Sequence, residues 1–477
     1  MVKKQTKIVA TISDLMCEVD HIRALYEAGV NVVRLNTAHQ KEDDTLKVIR
    51  SVRAVSDKLA LLLDTKGPEV RTAEITDPIE IKEGDKIYIF KDKSKSPGVG
   101  FQTNYEHFVH HVPVGARVLI DDGETSMKVI DKNGDDYLVV QIENSGKIKN
   151  RKSVNVPGVA LPLPSITEKD RNYIKFAAEN DLDFVAHSFV RSKQDVLDVQ
   201  SILDQYGSKA KIIAKIENME GVKNIDEILE VAYGVMVARG DLGIEVPAEE
   251  VPVYQKMMIR KCIERGKPVI TATQMLHTMI ENPRPTRAEV SDVANAIFDG
   301  TDAIMLSGET AYGKYPLEAV QTMSRIAMQI EKVKEKIRTH GAYATNNPIR
   351  DYLSQAAINA IQTLPVAAVV CDTLSGRSAR IISTYRADVP VYAKAHDPRV
   401  ARQLALSYGV YPEYLPLPAN HNQLVVQSLE SLLTEGSIKK SDLVVILAGS
   451  PGHPEGSNFL EINTVELSLK GRKEGYC

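Results

Sequence analysis

The chain has no tryptophan, only four cysteines, and aromatic residues amount to 5% of it. The cysteines, Cys17, Cys262, Cys371 and Cys477, are scattered and form no CxxC pair. That spacing argues against a disulfide framework and against structural zinc. Charge of neither sign dominates, because 59 basic and 63 acidic residues leave a net −4. Such a balance gives no field for nucleic-acid binding, so any cations that hold an anion must be gathered locally. No apolar run approaches transmembrane length, and the one at Ile8–Ile12 is too short for a signal peptide. Solenoid repeats and low-complexity tracts are also missing. What is there, 477 residues with 43% hydrophobic and 26% charged, fits a soluble chain of about two to four domains, expected in the cytoplasm.

Apolar strands alternating with helical patterns run through most of the sequence. Strands are expected at Lys7–Ile12, Asn31–Leu35 and Leu59–Leu63, with helices near 18–28 and 41–56. From Gly67-Pro68 to about residue 160 the texture changes to short strands such as Ile87–Phe90, Val118–Ile120 and Tyr137–Ile142. Turn signals at Gly84-Asp85, Asp122-Gly123 and Asn133-Gly134 separate them, which describes a small all-β insert. The βα rhythm returns after Thr167, with strands at Phe184–Phe189, Lys211–Glu217, Gly234–Ala238, Pro268–Thr273 and Ala303–Ser307. Three strands before the insert and five after it make eight, and near-continuous apolar strands belong in a parallel sheet covered by helices. The expected fold is a (β/α)8 barrel in the α/β class, an open doubly wound sheet being the alternative. The parts are residues 1–67, an inserted β-rich domain at 68–160, and 161–340. A linker at 340–348 leads to an open α/β domain at 350–477.

Barrel enzymes carry their chemistry where the strands end, and here nearly every strand ends in polar residues. Lys215 and Glu217 project to one side at the end of the fifth strand, and Asp241 follows the sixth about one βα repeat later. Two carboxylates beside an amine suit a hard divalent cation and a phosphate, the plain alternative being an ion-pair network. Arg34 and Arg71, with Lys215, can neutralise phosphate oxygens. The turn Gly240-Asp241-Leu242-Gly243 exposes backbone N–H groups that could receive a carboxylate. Asn36, Asp64 and Thr65 are oxygen donors that could hold a second, monovalent cation. No Ser-His-Asp or Cys-His arrangement is evident, and phosphoryl transfer needs none.

Several long motifs then resemble one family in order. Leu63-Asp64-Thr65-Lys66-Gly67-Pro68-Glu69-Val70-Arg71, Ala214-Lys215-Ile216-Glu217-Asn218 and Met236-Val237-Ala238-Arg239-Gly240-Asp241-Leu242-Gly243 are similar to pyruvate kinase. So are Ala272-Thr273-Gln274-Met275-Leu276, Pro283-Arg284-Pro285-Thr286-Arg287-Ala288-Glu289 and Leu306-Ser307-Gly308-Glu309-Thr310. The resemblance implies phosphoryl transfer from phosphoenolpyruvate to ADP, giving pyruvate and ATP, with a lid that closes over the nucleotide. It implies Lys215 at the transferring phosphoryl group, Arg34 on the substrate phosphate, and Glu217 with Asp241 on magnesium or manganese. Gly240, Asp241 and Thr273 would meet the substrate, Thr273 near the carbon to be protonated, and Arg71, Lys152 and His39 the nucleotide. Asn36, Asp64 and the carbonyl of Thr65 would hold potassium. The family commonly has a potassium-ligating serine where this chain has Ala38, which carries no side-chain oxygen; potassium activation is still expected, with water filling the vacancy.

Thr373-Leu374-Ser375-Gly376-Arg377-Ser378 follows an apolar strand and opens a helix. Read alone it is either a hydroxyl-capped helix or a phosphate site. The family resemblance implies an effector site for a phosphorylated metabolite, with Gly449–Pro454 as a facing loop, and a homotetramer. The tail from Leu469 to Cys477 is polar and is expected to fray. Competing readings are a magnesium-dependent barrel lyase or aldolase and a catalytically silent sensor of phosphorylated metabolites.

Overall fold

The computed structural model describes residues 3–38, 40–95, 97–333, 347–449 and 457–473. Eight parallel strands close into a barrel in sequence order: β1 Lys7–Thr11, β2 Val32–Asn36, β3 Ala60–Asp64, β4 Phe184–His187, β5 Lys211–Ile216, β6 Gly234–Ala238, β7 Val269–Ala272 and β8 Ala303–Leu306. Pairing of β1 with β8, Lys7 opposite Ala303, shuts the cylinder, so the open-sheet alternative is set aside. Both faces of these strands are buried, which is why they read as unbroken apolar runs. Alternate residues such as Val9, Val32, Leu62, Phe184, Ile213, Met236 and Ile270 fill the interior. Their neighbours, including Ile8, Val33, Leu61 and Ile212, pack beneath the helices. Thr167 caps the helix before β4, its hydroxyl accepting from Asp170 N while Asp170 reaches back.

Between β3 and β4 stands the lid, a nearly closed seven-stranded sheet running from Thr72–Ala73 to Val154–Asn155, with a two-stranded ribbon beside it. Its hairpin Thr125–Asn133 with Tyr137–Ile142 turns at Asn133-Gly134, as the sequence indicates, with Gly134 at φ 51°. The carboxyl-terminal sheet has the order 410–414, 391–395, 366–373, 443–448, 459–464, and only its last strand is antiparallel. The edge strand Val410–Tyr414 is absent from the sequence reading. Pro412 disguises it, and an edge is where a strand tolerates a residue without an N–H. The tail expectation is corrected in part. Val465–Lys473 is a helix, Leu469 is buried and Arg472 pairs with Glu461 at 2.5 Å. The expected linker lies largely outside the described residues.

The carboxyl-terminal domain docks against the amino-terminal face of the barrel. Arg402 reaches Asp183 at 2.6 Å and Asp181 at 2.8 Å, and Arg386 reaches Asp302 at 2.8 Å. Ala405 and Leu406 join the interior cluster of the barrel from below. At the same seam Lys7 donates to Val410 O at 2.5 Å and lies over the Tyr411 ring. Burial pulls the Lys7 amine down to about 7, with Lys4 adding to the effect and Glu331 and Asp302 opposing it. A base whose folded pKa is depressed costs stability wherever it is charged in both states, and that cost fades as pH rises from about 7 towards the unfolded value of 10.5. The wild-type urea midpoint should therefore gain on Lys7→Met between pH 7 and pH 9, and parallel pH profiles for the two proteins would contradict this.

Candidate active site

Lys215, the next-to-last residue of β5, has three partners for its three N–H groups. They are Asp64 Oδ1 at 3.0 Å, Glu217 Oε1 at 2.9 Å and Ser188 Oγ at 2.6 Å. Asp64 also accepts from Arg34 Nε at 2.6 Å, and Arg34 Nη1 donates to Thr11 Oγ1 at 3.0 Å. The ends of β1 to β5 thus share one hydrogen-bonded cluster. Burial alone would pull the Lys215 amine down, but Asp64 and Glu217 together raise it above the ordinary lysine range, so it stays charged. Burial likewise works against ionised Asp64, yet Arg34 and Lys215 hold it below the usual carboxylate range.

Glu217 behaves differently. Burial pushes its carboxyl up to about 7; Lys215 opposes the shift and Asp241 reinforces it. Asp241 is also raised by burial, with the Lys215 ammonium opposing the shift, and its charge acts on the neighbouring Glu217. Two carboxyls sharing a desolvated spot hold a proton readily, and a divalent cation relieves the same repulsion. Among the described residues no three His, Cys, Asp or Glu side chains are grouped so as to hold a metal ion by themselves. Glu217 Oε2 is fixed by Phe189 N at 2.5 Å, with Phe189 in the left-handed region at φ 55°.

The sequence reading of residues 240–243 as a turn is corrected. β6 stops at Ala238, and Arg239–Glu245 is a short helix with Gly240 and Asp241 in its first turn, where backbone N–H groups lack helical partners. Gly240 N donates to Thr273 Oγ1 at 2.8 Å. Thr273 and Gln274 have φ 70° and 55°, unusual for a β-branched residue at the first of them. Arg239 holds them there, donating to Thr273 O at 2.8 Å while its guanidinium forks onto Asp292 at 2.6 and 2.7 Å.

Asn36 and Asp64 lie opposite each other in the β2–β3 register. Asn36 Oδ1 accepts from Ala38 N at 3.1 Å, and Thr65 O accepts from Ser188 Oγ at 2.6 Å. Arg71 and Lys152 sit instead at the stem of the lid. Arg71 bonds Glu69 Oε2 at 2.6 Å and Arg151 O at 2.7 Å, and Lys152 pairs with Asp121 at 2.7 Å. His39 lies outside the described residues. Two cavities open at the rim. One of about 310 Å³ lies between the lid stem and Asp241, and one of about 590 Å³ is lined by Thr11, Arg34, Asn36 and Ser307.

In the carboxyl-terminal domain, Thr373 Oγ1 accepts from Gly376 N at 2.9 Å, and the helix Arg377–Thr384 opens without a side-chain cap. Its first amides are thus not covered by a hydroxyl. Ser375 and Arg377 are exposed, while Ser378 is buried against Ser457 Oγ at 2.8 Å. Most of the facing loop lies outside the described residues. Sequence reasoning missed Thr11 and Asp292 as parts of the rim, and it placed Ser188 there without a role. Ser188 stood at a strand end, where its position was a signal, but Asp292 is far along the chain and offers none.

A closed parallel barrel whose rim sets a charged lysine and an arginine beside paired carboxylates is the architecture of an enzyme that handles phosphate. The comparisons narrow that class. Residues 3–320 match the family described as pyruvate kinase, barrel domain, and residues 351–463 match pyruvate kinase, alpha/beta domain. A pyruvate kinase of Borreliella burgdorferi is 54% identical over 477 residues, covering 99% of this chain and 100% of that protein. Those of Geobacillus stearothermophilus and Bacillus licheniformis are 45% and 44% identical, each alignment covering 99% of this chain and 82% of the relative. The chain belongs to the pyruvate kinase family, enzymes of the phosphotransferase class. No helix among the described residues is long and apolar enough to cross a membrane.

Proposed function

We propose that the chain moves the phosphoryl group of phosphoenolpyruvate to ADP, giving pyruvate and ATP, as the last step of glycolysis in the cytoplasm. The observation that carries this reading is the Lys215 ammonium, held charged between Asp64 and Glu217 and next to Arg34. Arg34 has no protein partner on Nη2 among the described residues, which leaves a donor for the substrate phosphate. A β-phosphate oxygen of ADP attacks phosphorus, the bond from phosphorus to the enol oxygen breaks, and the enolate then takes a proton on carbon. Lys215 offsets charge on the oxygens of the transferring group. The backbone at Gly240 and Asp241 receives the substrate carboxylate, the Gly240 N–H turning to it from Thr273 Oγ1. The Thr273 hydroxyl keeps its proton and faces the enolate carbon. Magnesium or manganese, held by Glu217 and Asp241, would supply Lewis-acid neutralisation of the phosphoryl and enolate oxygens.

Arg71 and Lys152 contact the nucleotide in this reading, with His39, once lid closure draws them from Glu69 and Asp121 towards the rim and excludes water. The uncapped helix start at Thr373, Ser375, Gly376, Arg377 and Ser378 takes a phosphorylated effector, and the working assembly is a homotetramer. Pyruvate formation from phosphoenolpyruvate and ADP by the purified protein, with lactate dehydrogenase as the coupling enzyme, tests the reading directly. No pyruvate in the presence of magnesium and potassium would end it.

Potassium fits the oxygens of Asn36, Asp64 and Thr65, although Ala38 contributes none. Turnover is expected to be higher in potassium chloride than in tetramethylammonium chloride of equal ionic strength. Equal rates in the two salts would remove the monovalent site from the mechanism.

A further inference from the structure

Two of the three groups that hold the Lys215 ammonium are carboxylates assigned above to cations, Glu217 to the divalent ion and Asp64 to the monovalent one. Each carboxylate already gives its other oxygen to a second donor, Asp64 Oδ2 to Arg34 Nε and Glu217 Oε2 to Phe189 N, so an ion that joins it shares the oxygen facing the ammonium and loosens its hold. The third partner is a neutral hydroxyl. Ser188 Oγ accepts from Lys215 Nζ at 2.6 Å and donates its own proton to Thr65 O at 2.6 Å, while Ser188 N donates to Thr65 Oγ1 at 3.1 Å. Only 1% of Ser188 is exposed. Gly67, at φ 74°, approaches so closely that a Cβ on it would fall 2.8 Å from Ser188 Cβ. The hydroxyl is therefore fixed from both sides, by the end of β3 and by the lysine it serves.

We propose that Ser188 is a positioning residue. Clamped on the Thr65 carbonyl, it keeps the Lys215 ammonium aimed at the transferring phosphoryl group when ions draw Asp64 and Glu217 away. This rests on the phosphotransfer reading above. The competing account is a buried serine satisfied by Thr65 O alone, with the lysine placed by its carboxylates.

Wild type, Ser188→Ala and Ser188→Thr are compared with phosphoenolpyruvate and ADP at saturating magnesium and potassium. Ser188→Ala should lower kcat about 10- to 100-fold, the scale set by an ångström-sized misplacement of a catalytic group. KM for phosphoenolpyruvate should change less than about threefold, because ground-state binding keeps Arg34. Ser188→Thr retains the oxygen and should recover most of the loss. With magnesium and potassium bound, trinitrobenzenesulfonate should label Lys215 faster in Ser188→Ala, because the hydroxyl is then the acceptor that no ion competes for. A wild-type kcat in Ser188→Ala overturns the inference. So does unchanged labelling of Lys215, or a fall in melting temperature that Ser188→Thr shares. If wild type itself makes no pyruvate, the phosphotransfer reading has failed; if it does and Ser188→Ala matches it, only the role of Ser188 has.

Discussion

Lys215→Met is expected to lower kcat by about 10³-fold or more, at or beyond the upper end of what removing one preorganised donor costs. Lys215 is 8% exposed, its ammonium sits about 3 Å from two carboxylates, and they hold it above the ordinary lysine range, which favours the charged form. Methionine keeps the length and apolar stem of lysine but has no charge to set against the phosphoryl oxygens. The fold should survive. Asp64 keeps Arg34, and Glu217 can take up a proton because burial already pushes it up to about 7. Steady-state kinetics with a melting curve will separate the two effects. A kcat within about tenfold of wild type would place the charge stabilisation elsewhere.

Arg386→Met should cost about 3–5 kcal/mol of stability, the usual result of removing one member of a buried ion pair. Arg386 is 3% exposed and donates to Gly300 O at 2.9 Å, Ser383 O at 2.8 Å and Asp302 Oδ2 at 2.8 Å. Asp302 is itself 3% exposed and accepts from Val269 N and Tyr408 N, so it cannot turn towards water without breaking the start of β7. The substitution leaves a buried carboxylate without its cation and strands the Gly300 carbonyl. Arg386→Lys should fall between, because a point charge cannot reproduce the fork. Urea midpoints measure both, and a loss below about 1 kcal/mol would mean that the pair behaves as a solvated one.

The barrel was legible because its strands are buried on both faces and read as apolar runs of strand length, and the lid because glycine-bearing turns separate its short strands. Lys215, Glu217 and Asp64 were legible as charges at the ends of such runs. Asp241 was found, but its backbone was not, since a helix of seven residues leaves too short a period to separate from a turn. Val410–Tyr414 hid behind Pro412. Arg239 could be read as polar, yet its bond to Asp292 is made by tertiary packing, and a single sequence carries no trace of such a pair. Ser188 was legible at the end of a strand, but what its hydroxyl touches was not.

Leu406 and Ala405 close the lower mouth of the barrel with side chains that belong to the other domain. The catalytic cylinder therefore has a borrowed floor. Expressed without residues beyond 340, it would present an oily well to water and should clump rather than turn over, so the two lobes are parts of one folding unit rather than detachable modules.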